Sequence, residues 1–292
     1  MGAGRRWDPL PLGEPGGLPY SKGLMARALV AAGVQIEPAY LVAMRIEADL
    51  AARGERTADL GRIEELAVEA LGAAEGRRVA DRLRRFAALQ ALDLPILVLV
   101  GGATGTGKSS VATEVAHRIG ITRVTSTDFV RQTLRAFFSY ASMPSVHSSS
   151  FEGDPALPGF VDQTRNVLVG VDAAIERALA EGWSMVLEGV HLVPGLVPNA
   201  IDGALVVHAV LHVASEEVHR TRFHVRDALT GGVRAMERYL DRIGDIRRIQ
   251  EYLLERAQVH GVPVIESSDV ERATAELLEL VLASADRLAP VS

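Results

Sequence analysis

The chain reads as an α/β protein, a parallel sheet flanked by helices, preceded by a small, mainly helical domain. Three observations carry that reading. From Ile96 onward, short apolar runs alternate with longer stretches of helical periodicity, the signature of βαβ units. A glycine-rich segment of phosphate-binding type lies between the first apolar run and the helix that follows it. The residues before Ile96 show helical periodicity without strand-like alternation. The 292 residues also exceed the usual size of one core, which favours two domains, placed at 1–92 and 93–292.

Composition narrows the class. With 48% hydrophobic and 23% charged residues the chain is of ordinary globular type. No apolar run approaches the ~18 residues of a membrane span. Met1 to Trp7 carries an arginine pair followed by Pro- and Gly-rich sequence instead of an apolar signal core, so the protein is read as cytoplasmic, with no membrane partner. Cysteine is absent, which excludes disulfides, thiolate metal sites and cysteine nucleophiles. Residues 1–90 hold 13 basic and 12 acidic residues, and 91–292 hold 18 and 25. An acidic body argues against nucleic acid as the partner and for a small molecule, with arginines concentrated where anions are handled. The oligomeric state, a homodimer included, is left open.

Taken in order, the first twenty residues are rich in Pro and Gly and carry no periodic signal. Ser21 can cap a helix from about Lys22 to Ala32, stopped by Gly33, and Pro38 can open a second that runs to Arg53 before Gly54. Amphipathic segments near 58–71 and 75–91 follow, and Asp93-Leu94-Pro95 is a natural junction. Strands are expected at 96–100, 121–125, 184–188, 204–213 and 262–266, with their C-terminal ends on the sheet edge where open α/β folds bind ligands.

The residues after each strand carry the chemistry. Gly102-Ala103-Thr104-Gly105-Thr106-Gly107-Lys108-Ser109 fits G-x-x-x-x-G-K-S/T, and Lys108 is one of only two lysines among 31 basic residues. Backbone N–H groups there cradle phosphates, Lys108 reaches the β/γ oxygens of ATP, and Ser109 ligates Mg²⁺, with Ser110 adjoining. After the second strand, Ser126-Thr127-Asp128 with Arg131 puts an acid and a base on neighbouring faces of a helix start. An acid there can orient or deprotonate an attacking hydroxyl while arginine holds a substrate anion, although a helix cap and a surface arginine would look the same. Trp183 to Glu188 is an apolar strand ending in an acid, which places Glu188 as a second metal-holding group, and His191 follows close by. A basic stretch, about 215–250, includes Arg222 and Arg226 one turn apart, Gly231-Gly232, then Arg234, Arg238 and Arg242, and leads to Arg247-Arg248. It suits an arginine-rich lid with a glycine hinge, in which Arg222 and Arg226 act on the transferred phosphoryl group. Residues 141–165 read as a long loop with His147, Ser148 and Ser149.

Several blocks together resemble the 2-phosphoglycerate kinases. They are Leu18-Pro19-Tyr20-Ser21-Lys22-Gly23, Ser126-Thr127-Asp128 with Arg131, Val146-His147-Ser148-Ser149-Ser150, Glu188-Gly189-Val190-His191-Leu192-Val193-Pro194-Gly195, and Ile246-Arg247-Arg248-Ile249-Gln250. The resemblance runs from about residue 18 to 268. It implies a P-loop kinase that moves the γ-phosphoryl of ATP to the 3-hydroxyl of 2-phosphoglycerate, giving 2,3-bisphosphoglycerate and ADP, with an ATP-cone-like N-terminal domain. It also implies that Asp128, Arg131, Arg135, His147, Ser148, Ser149, His191 and Arg247 face the acceptor. A kinase for another acidic or phosphorylated hydroxy compound, and a nucleotide-binding regulator without turnover, are the alternative readings. Gly4-Arg5-Arg6-Trp7-Asp8-Pro9 has little of the strand character with which an ATP-cone opens.

Overall fold

The computed structural model describes residues 20–153, 155–230 and 236–288, the side chains of 225–230 excepted. Two compact units divide the chain, and 117–120 and the described residues from Leu278 onward belong with the N-terminal helices. That first unit is built on α1 (Lys22–Ala31), α2 (Ile36–Arg53), α3 (Leu60–Leu71) and α4 (Ala73–Ala91). Ser21 caps α1 by accepting from the Leu24 N–H, and Asp59 caps α3 by accepting from Arg62 N–H at 2.8 Å. Helical spacing puts Met25, Leu29, Val42, Ile46, Ile63, Leu66, Val79 and Leu83 in one apolar core. Helices α3 and α4 approach so closely that a Cβ on Gly76 would meet the backbone of Val68 and Ala67. Among the described residues this unit has no strand, and the segment where an ATP-cone would open, 4–9, lies outside them.

The second unit carries a five-stranded sheet, β1 (Ile96–Gly102), β2 (Val124–Ser126), β3 (Met185–Glu188), β4 (Leu205–His212) and β5 (Val264–Glu266). The order is β2-β3-β1-β4-β5 and every pairing is parallel. All five strands fall where the sequence predicts them. β2 is shorter than expected because Ile121 is drawn to the end of the preceding helix, its N–H donating to Ala116 at 2.8 Å. The central strand β1 is buried along its whole length, as its unbroken run of Ile, Leu, Val and Gly requires of a strand covered on both faces. Helices α5 (Lys108–Arg118), α6 (Thr127–Phe137), α7 (Ala156–Ala180), α8 (Glu216–Thr230), α9 (Met236–Asp241), α10 (Ile243–His260) and α11 (Val270–Asp286) complete the chain. None of the described helices is long and apolar enough to cross a membrane.

Residues 141–165 are not one long loop. A 3-10 turn spans Pro144–His147, and α7 starts at Ala156. Pro158-Gly159 looks like a turn in sequence, but it falls in the first helical turn, where the missing proline N–H would have no partner in any case. The hinge residues Gly231 and Gly232, together with Arg234, lie outside the described residues.

The close crossing of α3 and α4 makes a contrast available. Gly76→Ala is expected to lower stability by about 1–3 kcal/mol in urea unfolding, because the backbone it strikes cannot move aside. Gly23→Ala, on an exposed helical position with nothing within 4 Å, is expected to raise stability by about 0.4–1 kcal/mol.

Candidate active site

The C-terminal ends of β1, β3 and β2 lie side by side because the register aligns Val100 with Glu188 and Ser126 with Glu188. The loop 102–107 leaves β1 at this edge and runs directly into α5, as its glycines and Lys108 predict. Lys108 is buried, and its Nζ donates to the Ala103 carbonyl at 2.8 Å. Burial pulls its ammonium below the ordinary lysine range, and the nearby carboxylates of Glu188 and Asp128 oppose that shift. Ser109 lies beside it and donates its hydroxyl to Glu188 Oε1 at 3.0 Å, while Ser110 is exposed. The phosphate loop, the lysine, the hydroxyl and the strand-end acid thus meet at one point.

Asp128 sits in the first turn of α6, whose N-terminus is capped by the Ser126 hydroxyl. Its carboxylate is bound by Arg131 through Nε at 2.9 Å and Nη2 at 2.8 Å. The sequence predicts that Arg131 offers its guanidinium to a substrate anion. Instead the side chain is buried, and its remaining nitrogen, Nη1, donates to the carbonyls of Val146 at 2.9 Å and Ser148 at 3.1 Å. Arg131 therefore fastens the 146–148 backbone to α6. Arg135, one turn further on, is exposed.

His191 is likewise inside the protein. Its Nδ1 lies 2.8 Å from Thr127 Oγ1 and its Nε2 lies 2.9 Å from Gln163 Oε1. The Gln163 amide nitrogen donates to the Ser145 and Ser148 carbonyls, which leaves Oε1 as an acceptor and fixes the proton of His191 on Nε2. Thr127 then donates to Nδ1. Burial is the main cause that lowers the His191 pKa, to about 3, with Arg131 and Lys108 also lowering it and Asp128 opposing, so the ring is neutral. Gly189 is required next to it, because a Cβ there would strike Thr127 Oγ1.

The other sequence-predicted residues are distributed around this frame. His147 is half-buried and its Nε2 bonds the Phe138 carbonyl at 2.9 Å. Ser148 contributes its carbonyl to the Arg131 and Gln163 clasp. The Ser149 N–H donates to Glu152 Oε2 at 2.9 Å, and its hydroxyl accepts from Arg238 Nη2 at 3.1 Å. Arg222 on α8 donates to the Gly105 carbonyl at 3.5 Å and to the Ser267 carbonyl. Burial draws its guanidinium below the usual arginine range, with Glu266 opposing. The side chain of Arg226 lies outside the described residues. Arg247 holds the chain just after β4 through the carbonyls of Val213 at 3.3 Å and Ala214 at 3.0 Å. In the other unit Lys22 pairs with Glu47 at 3.1 Å.

Sequence reasoning gave no role to Thr127 or Gln163. Thr127 stands inside the Ser126-Thr127-Asp128 block, and Gln163 lies on α7, in a stretch whose sequence reads as loop.

No protein-family model matches the chain. A 2-phosphoglycerate kinase from Methanothermobacter thermautotrophicus is 40% identical over 268 residues, covering 86% of each chain. One from Thermococcus kodakarensis is 35% identical over 274 residues, 89% of this chain and 92% of its own. A gluconokinase structure from Sinorhizobium meliloti 1021 is 21% identical, covers 67% of this chain and 94% of its own, and aligns with a TM-score of 0.35, a likeness too weak to carry an argument.

The buried neutral histidine has a consequence for acid stability. Unfolding exposes His191 to water, where its pKa returns to about 6.5, so the unfolded state takes up the proton first. The contribution is complete above pH 6.5 and is lost as pH falls toward 3, at up to ~1.4 kcal/mol per pH unit. Urea unfolding at pH 7.5 and 5 is expected to show a smaller acid loss in His191→Gln than in the unsubstituted protein.

Proposed function

The chain belongs to the 2-phosphoglycerate kinase family, and on that premise we propose that it transfers the γ-phosphoryl group of ATP to the 3-hydroxyl of 2-phosphoglycerate in the cytoplasm, giving 2,3-bisphosphoglycerate and ADP. The observation that carries this reading is that Glu188, bonded to Ser109 at 3.0 Å, and Asp128, at the start of α6, both oppose the burial shift of the buried loop lysine. A site that only binds nucleotide has use for the first acid and none for the second.

The backbone N–H groups of Gly102, Ala103, Thr104, Gly105, Thr106 and Gly107 receive the phosphate chain, together with the N-terminus of α5. Lys108 exchanges the Ala103 carbonyl for the β/γ oxygens, a short movement between two acceptors. Ser109 and Glu188 present a hydroxyl and a carboxylate 3.0 Å apart, hard oxygen donors of the kind Mg²⁺ selects, and they would hold that ion. When bound, the ion supplies charge neutralisation along the phosphates. Asp128 accepts the hydrogen bond of the attacking 3-hydroxyl and sets its line of approach. In a loose phosphoryl-transfer transition state such positioning matters more than full proton removal.

On the acceptor side, Arg131 works through the backbone it holds, so that His147, Ser148 and Ser149 form a fixed wall. Arg135 offers the exposed guanidinium on the same face of α6 for an acceptor anion. His191 sets Thr127 and through it the start of α6. Arg222 comes from the helix that packs on the phosphate loop and neutralises charge developing on the transferred group, with Arg226 as its neighbour on α8. Arg247 supports this edge of the sheet by holding the chain that leaves β4.

ADP release should be measured with 2-phosphoglycerate, 3-phosphoglycerate, glycerate and gluconate in parallel. Turnover confined to 2-phosphoglycerate is expected, with Lys108→Ala lowering kcat roughly a hundredfold or more. Turnover with another acceptor alone would remove the substrate assignment, and none with any acceptor would favour a nucleotide-binding regulator. Glu188→Gln is expected to raise the Mg²⁺ concentration for half-maximal rate about 10–100-fold, the scale of losing a group that orients or holds a metal. A Mg²⁺ dependence left unchanged by Glu188→Gln would count against its metal role.

A further inference from the structure

The phosphate loop contains two glycines in the left-handed region, Gly105 with φ 86° and Gly107 with φ 84°. A backbone of this kind can turn its peptide planes at little cost, so something must select the orientation that aims N–H groups at phosphate. Four consecutive carbonyls of the loop are each held. Ala103 accepts from Lys108 Nζ and from Thr106 Oγ1 at 2.9 Å, both groups of the loop motif itself. Thr104 accepts from His219 Nε2 at 2.7 Å, Gly105 from Arg222 at 3.5 Å, and Thr106 from Ser267 Oγ at 2.7 Å.

A trans peptide is planar, and its C=O and the N–H of the next residue point in opposite directions. Holding the Thr104 carbonyl therefore aims the Gly105 N–H, and holding the Thr106 carbonyl aims the Gly107 N–H. We propose that His219 and Ser267 are positioning residues for the nucleotide, selecting the peptide orientation that turns the Gly105 and Gly107 N–H groups toward the phosphates.

Both side chains are fully buried and both are anchored independently of the loop. Ser267 follows β5, and its own N–H donates to the His212 carbonyl at 2.9 Å. The Ser267 hydroxyl has one proton between two carbonyls, Thr106 at 2.7 Å and His212 at 2.8 Å, which ties the loop to the end of β4. The Ser267 carbonyl in turn accepts from Arg222, so one residue joins β4, the loop and the lid arginine. His219 stacks on Phe223 at 5.4 Å and Phe223 on Tyr239 at 5.0 Å, which sets the imidazole plane. Its Nδ1 is buried with no hydrogen-bond partner among the described residues, a cost that the Thr104 contact gives a reason to retain.

The proposal rests on ATP as the nucleotide and is independent of the acceptor. Mg-ADP binding by calorimetry tests it without turnover, so failure of the acceptor assignment would leave the result readable. His219→Leu and Ser267→Ala are each expected to raise the Mg-ADP Kd roughly fivefold, the scale of one lost hydrogen bond, and to raise the ATP KM in parallel. His219→Gln should restore much of the affinity, since its amide N–H can reach the same carbonyl. The KM for 2-phosphoglycerate should stay within about twofold. Unchanged Mg-ADP affinity in His219→Leu and Ser267→Ala, with only the Tm lowered, would mean the contacts serve the fold alone. His219→Gln binding as weakly as His219→Leu would overturn the hydrogen-bond role. Should Ser267→Ala fail to fold, the leucine and glutamine pair decides the matter.

Discussion

Burying an ammonium at the foot of the phosphate loop sets the terms for the rest of the kinase unit. Lys108 has to stay charged to meet phosphate, yet its surroundings favour the neutral form, and the groups that oppose this are Glu188 and Asp128. Neither is near it in sequence. Glu188 ends β3, which has to neighbour β1 for its carboxylate to stand beside Ser109, and Asp128 follows β2, which has to neighbour β3. The strand order β2-β3-β1 thus brings an acid at the end of β3 and one at the start of α6 to the edge that carries Lys108.

The acceptor side solves a different problem, that of holding irregular backbone still without regular ladder bonds. A chain of buried polar contacts runs from Thr127 through His191 to Gln163 and ends on the carbonyls of Ser145 and Ser148. Arg131 grips the same segment from α6. Every donor in that chain has an acceptor, so the 145–149 backbone is set at a fixed offset from the Asp128 carboxylate. This is the property an enzyme needs when it must place a hydroxyl in line with a leaving phosphate.

Much of the fold and the nucleotide side was legible in the sequence because it rests on local signals. The five strands are unbroken apolar runs, Ser21 and the lysine-bearing loop mark helix starts, and the Glu188 block ends a strand with an acid. The acceptor side was less legible because its meaning lies in which acceptor a donor finds. Nothing local separates an Arg131 that meets a substrate from one that meets Val146 and Ser148. Pro158 falls in the first turn of α7, where proline is tolerated, so it does not mark a loop there. Ser267 stands directly after the fifth strand, a place where function was expected, but a lone serine there carries no signal of the carbonyl it will hold.

Arginines that the sequence marks as anion-handling groups also hold backbone carbonyls. A guanidinium has five N–H donors in a rigid fork and can span two carbonyls at once, which a lysine cannot do with the same fixed geometry. Arg131 spans Val146 and Ser148, Arg247 spans Val213 and Ala214, Arg222 spans Gly105 and Ser267, and Arg82 and Arg256 each hold one carbonyl, of Gly33 and Pro194. Most of these carbonyls lie in loops or at the ends of elements, outside the regular ladders. Several arginines thus satisfy irregular backbone, while others, such as Arg62, Arg84 and Arg85, pair with carboxylates. Lys108 does the opposite work: a slender ammonium that can leave one carbonyl for a phosphate suits a group that has to move during binding. The division between the two cations follows from whether the acceptor is permanent or exchanged, and Arg222 rests on carbonyls of the phosphate loop and of Ser267.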